Sequence, residues 1–338
     1  MAEARYHLIR DFVFQDGTVL PSVSVAYRDS DPSGTRTKTA LVVTHFRGRL
    51  PTVCTFSSGP LTALREHRVI TVALFGNGES AGPSNTPGFP QATAEYRDCV
   101  RAQHDLLVAL GVAELDVVIG FSMGGQTAYH WALMHPQMVR HIVVICSSAR
   151  TSRHNHQFLE GPRAALENAA DYVPMTQRQV DTPPCRRGLH AFGKAYSAWL
   201  ASADWFDQEL YRALGFDSLA AWDHVFTGAN YDGWDPDDLL TQLGIWQRGD
   251  VTVLADPVDG RPPSLQDTLA RIQTPVLLLP SRSDQYFRWE AAERESRWLP
   301  RATLQVIPSV WGHMAGIGAN PVDAQFIDQQ IMAFLAEK

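Results

Sequence analysis

The chain has 338 residues, 45% of them hydrophobic and 19% charged, a balance that suits a globular protein with a sizeable core. Its formal charge of −7 comes with no basic stripe, which argues against a nucleic-acid partner or an anionic membrane surface. No stretch approaches the ~18 apolar residues of a membrane span, and residues 1–5 lead into no apolar leader, so the expectation is a cytoplasmic chain.

In chain order, residues 6–14 and 19–27 are rich in strand formers, and Gln15-Asp16-Gly17 supplies the turn of a hairpin. Residues 39–44 and 68–73 are short continuous apolar runs, as buried parallel strands require. Residues 61–66 read as a helix between them. The glycine- and proline-rich stretch 75–90 is a long loop, in which Gly76-Asn77-Gly78 is a turn rather than a nucleotide-binding motif. Residues 92–110 are helical, with Val100, Leu106, Leu107 and Leu110 apolar. A strand at 116–120, a helix at 126–134 stopped by Pro136, and a strand at 141–146 follow.

The strand–helix alternation specifies an α/β fold with a mostly parallel sheet. It stops at about residue 151. Segments 188–201, 204–214, 219–226 and 237–247 are helical and rich in aromatics. Strands resume at 275–280 and 303–307, and residues 324–336 form a closing helix. The expected organisation is a core of residues 1–150 and 271–338 with a helical cap at 151–270. The insertion leaves the sheet near its C-terminal edge, where α/β sites lie, and so should cover them.

The segment Gly120-Phe121-Ser122-Met123-Gly124 lies between a predicted strand and a predicted helix. That is the setting of a nucleophile elbow, whose glycines sit where a Cβ would clash. A serine hydroxyl needs a base, and the base needs an acid. Asp284 follows the strand at 275–280, and His313 follows the strand at 303–307. His313 is the only one of the twelve histidines after the last strand. Ser147 and Ser148 follow the strand at 141–146, so no acid is available there, and Asp250 and Asp256 lie in the insertion. Oxyanion donors are expected from the N–H of Met123 and, in the loop after the third strand, of Phe46. Arg47, Tyr286, Trp311 and Met314 flank these positions and are the candidate substrate contacts.

No His, Asp and Glu set has metal-ligand spacing, and His154 with His156 falls in a loop leading into a helix. Cys54, Cys99, Cys146 and Cys185 form no CxxC pair and read as reduced buried thiols.

These residues resemble the homoserine O-acetyltransferase-like family of α/β-hydrolases. The likeness rests on Phe75-Gly76-Asn77-Gly78 with Gly82-Pro83-Ser84, on Phe121-Ser122-Met123-Gly124-Gly125, on Ser148-Ala149-Arg150-Thr151-Ser152 with Asn155 and Arg163, and on Ser283-Asp284 and Gly312-His313. The resemblance implies an α/β-hydrolase fold, a Ser122–His313–Asp284 triad, a tunnel under a helical cap, and a homodimer formed through that cap. It also implies a two-step acyl transfer from acetyl-CoA or another acyl-CoA, with no other cofactor. Family members acting on homoserine carry an aspartate after the histidine, which the resemblance assigns to the substrate ammonium. This chain has Met314 there, which cannot pair an amine. A less polar ester or alcohol fits better, and the insertion's aromatics (Trp199, Trp205, Phe206, Trp222, Phe226, Trp234, Trp246) allow an apolar pocket or an ordinary core.

Three functions follow. The first is a serine hydrolase of a small-molecule ester or activated acyl group. The second is an acyl-CoA-dependent O-acyltransferase using the same residues. The third is a non-hydrolytic cyclase, lyase or binding protein on the same fold.

Overall fold

The computed structural model describes residues 3–52, 63–257, 260–261 and 263–337. Strands β1 (Arg5–Val13) and β2 (Val19–Asp29) form the antiparallel hairpin, turned at Gly17 with φ +87°. Strands β3 (Lys38–Val43), β4 (His67–Val72), β5 (Val117–Phe121), β6 (Ile142–Ile145), β7 (Val276–Leu279) and β8 (Ala302–Leu304) complete the sheet. The spatial order is β1-β2-β4-β3-β5-β6-β7-β8, antiparallel at β1–β2 and β2–β4 and parallel elsewhere.

The apolar runs are continuous because both faces of the central strands are covered. Leu41, Val43, Val118, Ile142 and Val144 pack with Leu106, Ala128 and Trp131. These belong to helices α1 (Tyr96–Ala109) and α2 (Met123–Met134). The alternate residues Ala40, Val42, Val117, Ile119, Val143 and Ile145 pack with Ile327, Ile331 and Phe334 of the closing helix.

Between β6 and β7 the regular structure of the described residues is helical. It comprises α3 (Arg153–Glu167), α4 (Arg186–Ser197), α5 (Ala203–Asp207), α6 (Leu219–Asp223), α7 (Pro236–Gln247) and α8 (Leu265–Ala270), with short 3₁₀ and π turns. The last helices are α9 (Trp289–Ser296) and α10 (Pro321–Ala336).

Several expectations are corrected. Of the helix expected at 61–66, residues 61 and 62 lie outside the described residues and 63–66 form a turn. Segment 204–214 is broken at Glu209, whose φ of +52° no helix accommodates. Segment 219–226 passes from α6 into a π turn. The strand at 303–307 is shorter than expected and is continued by a single bridge between Ser281 and Ile307. His154 and His156 stand on α3 itself, started by the Ser152 hydroxyl accepting from Asn155 N–H at 3.0 Å. Cys99, Cys146 and Cys185 are free and buried, and Cys54 lies outside the described residues. No helix among the described residues is long and apolar enough to cross a membrane.

One ionisable group sits deep in this packing. Glu295 of α9 is 3% exposed and accepts hydrogen bonds from the Tyr129 hydroxyl at 2.8 Å and the Ala149 N–H at 3.0 Å. Burial pushes its carboxyl from 4.5 up to about 7. Between those values the folded chain binds more protons than the unfolded one, so stability falls as pH rises through that window. Glu295→Gln removes the titration. Chemical denaturation at pH 5 and pH 8 should show the wild type losing roughly 3 kcal/mol more than the variant. Parallel pH profiles for the two proteins would contradict this.

Candidate active site

Strand β5 runs into α2 through Ser122, which has φ 56° and ψ −122°. Such a conformation is rare for a residue with a side chain and has to be enforced by its surroundings. Here it is enforced by close packing. A Cβ on Gly120 would lie 1.9 Å from the carbonyl carbon of Gly124, and one on Gly124 would lie 2.7 Å from the Val43 carbonyl oxygen. The Ser147 hydroxyl donates to the Ser122 carbonyl at 2.6 Å, tying the turn to the end of β6. Met123 opens α2, so its N–H has no partner within the helix and faces the end where negative charge is favoured.

Asp284 and His313 come from the loops after β7 and β8, and both are buried. The Nδ1–H of His313 donates to Asp284 Oδ2 at 2.7 Å. The other carboxylate oxygen accepts from the N–H groups of Tyr286 at 2.8 Å and Phe287 at 3.1 Å. With Nδ1 carrying the proton, the neutral ring leaves Nε2 as an acceptor. The ring is packed on three sides, with Phe121, Tyr286 and Phe287 centroids at 4.5, 4.8 and 5.8 Å. The insertion anchors its backbone: the Leu200 carbonyl accepts from His313 N–H at 3.1 Å and Met314 N–H at 3.3 Å. Gly312 adopts φ +60° against Ala201, where a Cβ would meet backbone at 2.8 Å. The Ser283 hydroxyl bridges the two loops, donating to the Ser309 carbonyl at 2.8 Å and accepting from Gly312 N–H at 3.0 Å.

The loop after β3 folds into a turn at 45–48, closed by Gly48 N–H to the His45 carbonyl at 2.7 Å. Asn77 reaches it from the glycine-rich loop and donates to the Gly48 carbonyl at 3.1 Å. His45 donates from Nδ1 to the Phe46 carbonyl at 2.9 Å, and burial holds its pKa down to about 4, so the ring is neutral near pH 7.

A cavity of about 420 Å³ brings several of these groups together. Ser122, His313, His45, Phe46, Arg47 and Met314 all line it. The insertion contributes Tyr196, Leu200, Phe226, Asn230 and Trp234. Two of the expected substrate contacts are not on this wall. Tyr286 is 2% exposed, with its hydroxyl donating to the Tyr196 carbonyl at 2.9 Å and its ring against His313. Trp311 is packed edge-on against Trp205 in the core. Of the insertion aromatics, Trp205, Trp222 and Trp246 are fully buried core, whereas Phe226 and Trp234 reach the cavity. Among the described residues, the lining holds the cations of Arg47 and Arg49 and no carboxylate.

Among the described residues, one trio could offer metal ligands: Cys146, Asp284 and His313, with candidate atoms within 4.8 Å of one another. Its donor chemistry fits a metal poorly. The imidazole and carboxylate are already joined, and burial together with the Asp284 charge raises the thiol pKa well above its usual value, which keeps it protonated.

Residues 56–318 match the family described as "alpha/beta hydrolase fold". The chain belongs to this family. The α/β-hydrolase is 32% identical over 278 residues to an ethyl acetate hydrolase of Pseudomonas veronii, covering 80% of this chain and 75% of that protein. It is 28% identical to a homoserine O-acetyltransferase of Chloroherpeton thalassium, over 73% of this chain and 62% of that one. Its fold is that of an acetylester hydrolase from Corynebacterium glutamicum, with a TM-score of 0.89, 24% identity, and 99% and 96% of the two chains covered. The protein is thus an enzyme of the esterase or O-acyltransferase type.

The buried Asp284–His313 bond makes a specific expectation for this α/β-hydrolase. Asp284→Asn replaces one acceptor oxygen with an NH₂ donor and favours the imidazole tautomer with its proton on Nε2. Turnover, whether by ester hydrolysis or acyl transfer, should fall by about 10⁴-fold, with the thermal midpoint nearly unchanged. Activity within tenfold of wild type would show that the acid lies elsewhere.

Proposed function

We propose that this enzyme is a serine hydrolase of small esters that works through an acyl-enzyme on Ser122. The observation that carries the reading is the shared cavity: the serine of the elbow and the histidine held by Asp284 stand on one wall of it. In this reading His313 Nε2 takes the Ser122 proton as the hydroxyl oxygen attacks the ester carbonyl. The N–H groups of Met123 and Phe46 receive the oxyanion. The tetrahedral intermediate collapses, the C–O bond to the alcohol breaks, and the imidazolium returns the proton to the leaving alkoxide. Water then repeats the attack on the acyl-enzyme, with the same histidine as base.

The cavity favours a compact, uncharged or anionic substrate. At about 420 Å³ it lies toward the small end of ligand pockets. Phe121, Phe226, Trp234 and Ile317 supply apolar wall. Met314 stands after the histidine, and no carboxylate in the described lining would pair an ammonium group. This argues against homoserine as acceptor and for an ester with an apolar alcohol.

Acyl transfer from an acyl-CoA uses the same groups and differs only in what removes the acyl group. Incubation with p-nitrophenyl acetate and with acetyl-CoA, each with and without homoserine or a simple alcohol, separates the two. The hydrolase reading predicts p-nitrophenol release without any acceptor and loss of about 10⁴-fold or more in Ser122→Ala and in His313→Ala. CoA release that depends strictly on an alcohol, with no ester hydrolysis, would establish the transferase instead. A wild-type serine that stays unlabelled by a fluorophosphonate would contradict both.

A further inference from the structure

The oxyanion turn holds a conformation that its own residues do not favour. Arg47, at its centre, has φ +59°, in the left-handed region. The peptide unit joining Phe46 to Arg47 is gripped at both ends. Its carbonyl accepts from His45 Nδ1 at 2.9 Å. Its N–H donates at 2.8 Å to the side-chain oxygen Oε1 of Gln242, which lies on α7, 195 positions along the chain. The Phe46 N–H lies in the preceding peptide unit, which the His45 bond encloses in a ring running from the imidazole to the Phe46 carbonyl; rotating the Phe46–Arg47 unit would swing that carbonyl away, open the ring and release the Phe46 N–H from its direction.

Gln242 is fully buried, and only one end of its amide is used. Among the described residues Nε2 has no hydrogen-bond partner, although it too is shielded from solvent. A buried amide with a stranded donor is a poor choice for packing alone. Its acceptor is the part that the structure employs. The same stretch of the insertion holds the Arg47 side chain, whose guanidinium lies 3.8 Å from the Tyr231 ring centroid and donates to the Asn230 carbonyl at 3.2 Å.

We infer that Gln242 is a positioning residue for the oxyanion hole: by holding the Arg47 N–H, its Oε1 fixes the Phe46 carbonyl against His45, and the ring so closed keeps the Phe46 N–H aligned before substrate arrives. The inference rests on the hydrolase reading, in which Phe46 N–H is an oxyanion donor. It also means that the helical insertion supplies part of the reaction geometry as well as cavity wall. The hole is complete only when α7 is docked on the turn.

The test is steady-state hydrolysis of p-nitrophenyl acetate by Gln242→Leu and Gln242→Met, together with affinity for phenylboronic acid, a mimic of the tetrahedral intermediate. Both variants remove the acceptor and keep an apolar side chain of similar length in its place. In Leu and Met, kcat should fall about 10- to 100-fold, less than the loss of a whole oxyanion donor, with KM within about threefold. Phenylboronic acid should weaken by a similar factor. Wild-type kcat and boronate affinity in whichever of the two variants folds would overturn the inference. Failure of the underlying reading is distinguishable: there the wild type itself would neither hydrolyse the ester nor lose activity in Ser122→Ala.

Discussion

Everything at the candidate active site depends on how little room lies between Gly120 and Gly124. A methyl group on the first would stand 1.9 Å from the carbonyl carbon of the second. That closeness lets a strand become a helix within a single residue, and it forces Ser122 into the left-handed region. The consequence is chemical as well as geometric. The serine stands at the C-terminal end of a parallel strand, and the next N–H is the first of a helix. Neither feature is available to a serine in the middle of a helix or a strand.

The second dependence is on the helical insertion, which touches both loops flanking the serine. Its Leu200 carbonyl holds the backbone of His313, and Gln242 holds the turn at Phe46. Gln285, next to Asp284, donates to the Ala201 carbonyl at 2.9 Å. Hydrogen bonds of this kind, made away from bulk water, fix positions at little cost in mobility when substrate binds. The neutral His45 and the Arg47 cation share the cavity lining with Ser122, and the described lining holds no carboxylate.

The sheet and the positions of Ser122, Asp284 and His313 could be read from the sequence because each is a local pattern. Apolar runs of four to six residues mark buried strands, and the elbow has a fixed spacing of small residues. Asp284 and His313 were legible from their places after late strands. The insertion was legible only as helical. Helix α3 was missed because Pro162 and the polar run 153–157 mask its periodicity, although Ser152 is an ordinary N-cap. Helix α9 was missed because it is short and largely charged. Tyr286 and Trp311, expected as substrate contacts, do not line the cavity, because nearness in sequence does not tell which way a ring faces; both point into packing. Gln242 carried no signal, since a glutamine inside an apolar helix gains its role only from a turn 195 positions away.

The account stands on a covalent intermediate at one residue. Acid-quenching the wild-type enzyme within its first turnovers of p-nitrophenyl acetate, followed by mass spectrometry of the digested protein, addresses this directly. The account predicts an acetyl group on the peptide containing Ser122, absent from the same peptide in unreacted enzyme and accumulating further when deacylation is slowed. Efficient turnover with that peptide unmodified at every quench time, or with the acetyl group on another residue, would contradict it.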